Sequence, residues 1–274
     1  MEEKVFKDQV INGERFEFGK NWRAYLNGLT DEKIEIAKQS LGEMLECSDL
    51  TGKKFLDVGC GSGLFSLAAS KLGASVYSLD FDPNSVKCTE LLRERYPSQN
   101  KWVIQEGSIL NKEYIKSLGK FDIVYSWGVL HHTGNMQKAL ENVQISVGEK
   151  GKLFIAIYND QGNASTRWKK VKKIYNSGSL GKAFIISIFF PYFFLRGLVA
   201  DILRIKNPLK RYTDYKKRRG MSMVRDWYDW LGGYPFEVAS PEAIFEYYKK
   251  NGYRLTRLKT TTSWGCNQFV FEKS

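Results

Sequence analysis

Between Lys53 and Tyr158 short apolar runs alternate with amphipathic stretches, and no other feature of the chain restricts its fold as much. Lys53–Val58 (KKFLDV), Ser75–Asp80 (SVYSLD), Lys101–Glu106, Phe121–Trp127 (FDIVYSW) and Lys152–Tyr158 (KLFIAIY) read as strands. Leu64–Leu72, Pro83–Tyr96 and Asn135–Val147 read as the helices between them. Alternation at this spacing implies βαβ units, hence a parallel sheet with right-handed crossovers. The ending differs. Pro241–Asn251 reads as a helix, and Tyr253–Thr260 and Asn267–Glu272 as two strands joined by a short loop around Trp264–Gly265. So short a connection requires an antiparallel pair, because parallel neighbours need a long crossover.

With 274 residues the chain has room for one α/β domain and an embellishment. Cys47, Cys60, Cys88 and Cys266 are scattered, with neither a CxxC pair nor zinc-ligand spacing, which points to free thiols in a reducing compartment and to no metal site. The opening MEEKVFKDQV lacks the basic start and apolar core of a secretory signal, so a cytoplasmic location is expected. Charge is more telling. The net charge is +12, yet Gln161–Gly220 alone holds 15 Lys and Arg against 2 Asp. The rest is close to neutral, which excludes a general attraction to polyanions.

The first strand carries Asp57 near its end and runs into Gly59-Cys60-Gly61-Ser62-Gly63 before a helix begins. Glycine suits a sharp turn that a ligand must approach closely, and the helix start offers unpaired N–H groups. A dinucleotide fold favours GxGxxG under a pyrophosphate. Here the spacing is GxGxG after an acidic residue. S-adenosylmethionine carries no phosphate but has a cationic amino group and a sulfonium, which an acidic strand end suits better. Asp80 ends the next strand, where a carboxylate can accept both ribose hydroxyls; a solvated turn Asp is the alternative. Phe81 is placed to flank an adenine, and Gly107-Ser108-Ile109 to meet its edge.

The succession DVGCGSG, SLDFD, EGSI and FDIVYSWGVLHHTG resembles the class I S-adenosylmethionine-dependent methyltransferases. It is most similar to the branch containing the 3-demethylubiquinone O-methyltransferases and related small-molecule and glycan-modifying enzymes. These motifs cover about residues 50–160, and FGKNW, IYNDQG and DWLGGYPFE outside them resemble bacterial members of the branch. The resemblance implies an α/β, Rossmann-like seven-stranded sheet, parallel except for its last strand, with a helical segment inserted. It also implies that Asp57, Gly59, Cys60, Gly61 and Gly63 line the methionine end of S-adenosyl-L-methionine and that Asp80 holds the ribose. One departure is Ser108, where many relatives carry an acid, so that adenine recognition is expected to be weaker or made by backbone.

Ligands of open α/β sheets bind at the carboxyl ends of the strands. Trp127 to Gly134 leaves strand four there, which places Trp127 and the only two histidines, His131 and His132, near a reacting methyl. Methyl transfer needs a hydroxyl held in line with the methyl and relieved of its proton, and a neutral imidazole can take that proton. His132 aligns with a histidine common in the family and His131 with a variable position. Either could instead simply cap the turn. Tyr158 and Asp160 are alternative proton acceptors or substrate ligands, and Asn21 and Trp22 are either a cofactor lid or core packing.

This divides the chain into an N-terminal helical lid (1–46), a core (47–160 and 233–274) and a basic, aromatic insertion (161–232). Within the insertion, Ala183–Leu195 is a 13-residue apolar run with five Phe and one Tyr. A bilayer crossing needs about 18–20 residues, and Arg196, Asp201 and Arg204 end the run, so it is not expected to span. Arg167, Lys169, Lys170, Lys172 and Lys173 precede it; Lys206, Lys210, Arg211 and Lys216–Arg219 follow. Aromatic bulk between cations suits contact with an anionic membrane surface, a buried helix closing the site, or RNA, in that order. The expected activity is methylation of a hydroxyl on a small, hydrophobic or lipid-linked acceptor (a quinone-type phenol or a glycan), releasing S-adenosyl-L-homocysteine. The location expected is cytoplasmic, peripheral on the inner face of the membrane. A tRNA or rRNA methyltransferase and a non-catalytic S-adenosylmethionine-binding scaffold are the alternatives.

Overall fold

A computed structural model describes residues 2–205, 207, 210, 211, 215, 223–262 and 264–273. Three helices come first: α1 (Glu2–Ile11), α2 (Gly19–Leu26) and α3 (Asp31–Leu45). Thr30 caps α3 by accepting from the Lys33 N–H, with Asp31 and Glu32 in the first turn, where the helix dipole favours acids.

The core follows as β1 (Lys54–Val58), α4 (Leu64–Lys71), β2 (Ser75–Asp80), α5 (Pro83–Arg95), β3 (Trp102–Glu106), α6 (Lys112–Ser117), β4 (Phe121–Trp127), α7 (Met136–Val143) and β5 (Val147–Tyr158). The fifth strand starts five residues before the expected Lys152, and the preceding helix stops at Val143. Val147 pairs with Phe121, and a register shift on β4 lets the ladder resume at Ile123 opposite Lys152. The insertion is helical: α8 (Asn163–Tyr175), α9 (Ser179–Leu203) and, after a segment that includes the basic residues Lys206 and Lys216–Arg219 outside the described residues, α10 (Met223–Gly232). The chain closes with α11 (Pro241–Lys250), β6 (Tyr253–Lys259) and β7 (Cys266–Lys273).

The strands form one seven-stranded sheet in the order β3-β2-β1-β4-β5-β7-β6. All pairs from β3 to β5 are parallel, whereas β7 runs antiparallel to both β5 and β6. This is the doubly wound α/β sheet with an antiparallel ending expected from the sequence. The inner strands are covered on both faces, which is why they read as unbroken apolar runs. Leu41, Leu45, Phe55 and Leu67 pack on one face, and Leu56, Val124, Leu140, Tyr248 and Phe271 on the other. A third, aromatic cluster of Tyr175, Ile185 and Leu231, joined by Trp168 and Trp230, holds the insertion to Phe16 of the N-terminal segment.

The apolar run of the insertion is longer than its sequence suggested. α9 has 25 residues, with a mean hydropathy of 1.9 over its most apolar window. By length and composition it could cross a bilayer, which overturns the expectation that Arg196 ends the run too early. One charge does not stop a helix when Gly-Leu-Val-Ala follows it, and Asp201 is buried in a bidentate pair with Arg211.

Candidate active site

Order reverses between β1, which leads outward to β2 and β3, and β4, which leads the other way. Ligands of such sheets bind at that switch point, beyond the carboxyl ends of the strands. A cavity of about 570 Å³ opens there, within the ~300–1,000 Å³ range of small-ligand clefts.

Its floor is the turn after β1. Gly59, Gly61 and Gly63 have φ of +78°, +55° and +79°, which only glycine adopts without strain. A Cβ on Gly59 would come within 2.4 Å of the Val129 side chain, so this glycine also lets the loop after β4 close down. Gly59 and Gly61 line the cavity. Cys60 and Gly63 lie behind it: the Cys60 thiol accepts from the Thr89 hydroxyl, and Gly63 faces the same threonine.

Asp57 is also behind the turn. Successive strand residues face opposite sides, so while Val58 reaches the cavity, the Asp57 carboxylate turns to α4 and accepts from the Ser66 hydroxyl at 2.5 Å. Burial pushes its pKa up to about 7. It is not a cavity-wall residue, contrary to its expected place at the methionine end. Asp80 is. Its carboxylate accepts from the Gly61 N–H and the Asp82 N–H, both at 2.9 Å, and burial raises its pKa to about 7 despite those bonds. Phe81, Ser108 and Ile109 share this end of the cavity, and the Ser108 hydroxyl accepts from the Leu110 N–H at 3.2 Å, fixing the loop after β3.

The two histidines part company. His131 is fully buried and absent from the cavity wall; its Nδ1 accepts from the Tyr158 N–H at 3.4 Å, and no described atom partners its Nε2. It supports the turn and does not reach a substrate. His132 lines the cavity, 2.6 Å from the Pro235 carbonyl through Nδ1. A carbonyl only accepts, so Nδ1 carries the proton and Nε2 keeps its lone pair. Burial holds the imidazole far below its ordinary pKa, at about 3, so it is neutral at every physiological pH. Tyr158 and Trp127 also line the cavity, whereas Asp160 is exposed and accepts from the Gly162 N–H in a surface turn.

Several residues that hold the site were not foreseen. Arg15 donates to the carbonyls of His132 and Thr133 at 3.0 and 3.1 Å and to Gln9, and its guanidinium lies 5.0 Å from the Phe81 ring centroid. It ties the N-terminal segment across the histidine turn to the far end of the cavity. Phe6, Phe16, Phe18 and Trp22 line the cavity from the same segment. Asn21 does not touch the cavity; it donates to Asp229 of α10, which does, so the N-terminal segment and the insertion are clasped together beside it. Behind that clasp Lys172 is buried, donating to the Trp230 carbonyl with its Nζ 4.3 Å from the Trp230 ring centroid. Phe18, Asn21 and Trp22 carried a signal in advance as parts of FGKNW, and Asp229, Trp230 and Pro235 as parts of DWLGGYPFE; Phe6, Arg15 and Phe16 lie in no motif.

Arg15 makes charge-assisted bonds to three groups, and replacing it removes the polar tie that holds the N-terminal segment to the histidine turn, whose half-exposed carbonyls water can then serve. Arg15→Met is expected to speed proteolytic cleavage of the first 16 residues at least tenfold while the core unfolds at an unchanged temperature. Unchanged cleavage would mean that the segment is held by its aromatics alone.

A methyltransferase-domain family model matches residues 56–153. The ubiquinone biosynthesis O-methyltransferase of Coxiella burnetii is 32% identical over 110 residues, which cover 40% of this chain and 45% of that protein. The ribosomal protein L11 methyltransferase of Helicobacter hepaticus is 34% identical over 110 residues, 40% of this chain and 28% of the relative. The chain thus spans less than half the length of these curated relatives. Among solved structures, magnesium protoporphyrin IX methyltransferase from Synechocystis PCC 6803 with bound SAH superposes with a TM-score of 0.53 at 14% identity, over 88% of this chain and 84% of that one. PKMT2 from Rickettsia typhi in complex with AdoHcy gives 0.56 at 14% identity, over 86% and 52%. Residues 56–153 match a methyltransferase-domain model, and the seven-stranded sheet shares the fold of these solved structures.

Proposed function

We propose that this protein transfers the methyl group of S-adenosylmethionine to a hydroxyl of a hydrophobic or lipid-linked acceptor. The observation that carries the reading is the two-ended cavity. A half-buried carboxylate, Asp80, stands at one end, and a neutral imidazole with a fixed tautomer, His132, stands on the wall towards the insertion.

The donor set fits the cofactor. Asp80 offers acceptor lone pairs to a ribose diol, Phe81 and Ile109 offer apolar surface to a base, and a Cβ on Gly128 would meet no protein atom, so the wall is open beside β4. Gly59 and Gly61 bring backbone rather than side chains to the remaining edge. When bound, the cofactor supplies an electrophilic methyl on a sulfonium. Trp227, Trp230 and Trp264 also line the cavity, with the Trp230 and Trp264 rings 5.8 Å apart, and this aromatic surface suits an apolar acceptor. His132 Nε2 takes the hydroxyl proton as the oxygen gains positive character. An alkylated oxygen is a far stronger acid than any imidazolium, so a depressed pKa does not prevent this transfer, and orientation contributes the rest.

Asp80 binds a diol best when ionised, and burial pushes its pKa in the free protein up to about 7. It is half protonated at pH 7 and mostly protonated at pH 6, so affinity for S-adenosylhomocysteine falls with acidity, by about fivefold between those values. Calorimetry across that range checks this; a flat affinity would mean that Asp80 is not engaged by the ligand.

The reaction is tested by supplying methyl-tritiated S-adenosylmethionine and extract from a strain lacking the gene. Label entering the organic, lipid-containing fraction supports the proposal. Label entering RNA would favour the nucleic-acid alternative, and cofactor binding without label transfer to any fraction would leave a scaffold.

A further inference from the structure

α9 is apolar on two opposite sides. On its inner side Ile185 is buried, and Phe189, Phe190 and Phe193 pack against Trp168, Trp227 and Tyr228. Trp227 also lines the cavity, so one aromatic layer separates the helix from the acceptor wall. On the outer side Phe184, Ile188, Tyr192, Leu195, Val199 and Ile202 are each 47–61% exposed. Their spacing of three and four residues puts them on one stripe of the helix. From Phe184 to Ile202 that ridge is about 27 Å long at 1.5 Å per residue.

The ridge is bordered by one sign of charge. From Asn163 to Arg204 the sequence contains a single acid, Asp201, and it is buried against Arg211. Arg167, Lys170, Lys173, Lys182 and Arg196 are exposed on the same two helices, and Arg204 is exposed at the C-cap of α9. Two copies meeting ridge to ridge about a twofold axis would bring these cations together, which disfavours self-association. An acidic, apolar surface satisfies both features at once.

We propose that α9 lies in the plane of an anionic lipid bilayer, with its outer ridge among the acyl chains and its inner face roofing the cavity. The helix is long enough to cross a bilayer, but crossing would strip Ile185 and the three phenylalanines from their partners. The arrangement places the aromatic wall of the cavity one side-chain layer from the lipid, the position from which an apolar acceptor could enter without crossing water. Lipid contact depends on the helix surface and not on the methyl-transfer reading, so each can fail alone.

The test is flotation of the full chain with vesicles of phosphatidylcholine alone or mixed with phosphatidylglycerol. The wild type is expected to float with the anionic vesicles, at least tenfold more than with the neutral ones. Phe184→Ser, Ile188→Ser and Leu195→Ser combined should reduce flotation at least tenfold, with S-adenosylhomocysteine affinity unchanged because these side chains lie outside the cavity. Equal flotation of wild type and triple variant, or none by either, overturns the proposal. A dimer in lipid-free solution that the triple variant dissolves, without flotation, makes a second copy the occupant and overturns it too. Orientation is read with a fluorescent non-natural residue in place of Ile188 or Ile202 and nitroxide-labelled lipids. Equal, shallow depths are expected, and depths differing by about 20 Å, the rise over 14 residues, would show a spanning helix instead.

Discussion

Asp80→Ala is expected to weaken S-adenosylhomocysteine binding by at least 100-fold. The carboxylate lines the cavity as an acceptor at the end of β2, and each charge-assisted bond it accepts from a ribose hydroxyl contributes about 1.5–3 kcal/mol. Two such bonds reach or exceed the ~2.8 kcal/mol of a 100-fold change. The fold should tolerate the loss. Burial raises the carboxylate's pKa, so its ionised form is already costly in the free protein, and this cost offsets the two backbone N–H bonds it accepts. The thermal midpoint should therefore move by only a few degrees. Asp80→Asn keeps one carbonyl oxygen for the diol and should fall between. Affinity within threefold of wild type for both variants would place the ribose elsewhere.

His132→Ala is expected to lower the turnover rate by about 10²–10⁴ while leaving cofactor affinity within threefold, the signature of a residue acting on the acceptor proton. Its low pKa gives a second readout. A base that must be neutral to act, with a pKa of about 3, is ready at any pH above about 4. At saturating cofactor, turnover should therefore be flat from pH 5 to 8, and any acid limb near pH 7 should appear only when cofactor is limiting, through Asp80. An acid limb near 6.5 at saturation would point to an imidazole of ordinary pKa and contradict the buried geometry. His131→Gln should have a smaller effect on turnover and a larger one on stability, because His131 is packed behind the turn and shielded from the cavity.

What could be read from the sequence was what depends on neighbours along the chain. Strand and helix periodicity placed β1 to β4 nearly to the residue, and the short final connection gave the antiparallel ending. Asp80, Phe81, Ser108, Ile109, Trp127, His132, Tyr158 and Trp22 all reached the cavity. Asp57 did not: Val58 lines the cavity, while the Asp57 carboxylate turns to α4 and Ser66. Ser66 and Ser78, two small polar residues amid apolar runs, were the available sign of a buried carboxylate network.

What could not be read depends on contacts between distant segments. Arg15 meets His132 across 117 residues, and Asn21 meets Asp229 across 208. Neither pairing has any local pattern, because each is set by how the N-terminal segment and the insertion fold back on the sheet. The length of α9 was misread for a different reason. A run of uncharged residues ends at Arg196, but a helix is limited by propensity and packing, and neither changes there.

The most direct test of the central claim is calorimetric titration of the full chain with S-adenosylhomocysteine at pH 8, where Asp80 is ionised. Saturable binding at one site per chain is expected, and it should be lost in Asp80→Ala at the same concentrations. A correctly folded wild-type chain that releases no heat and shows no thermal stabilisation at millimolar ligand would contradict the account.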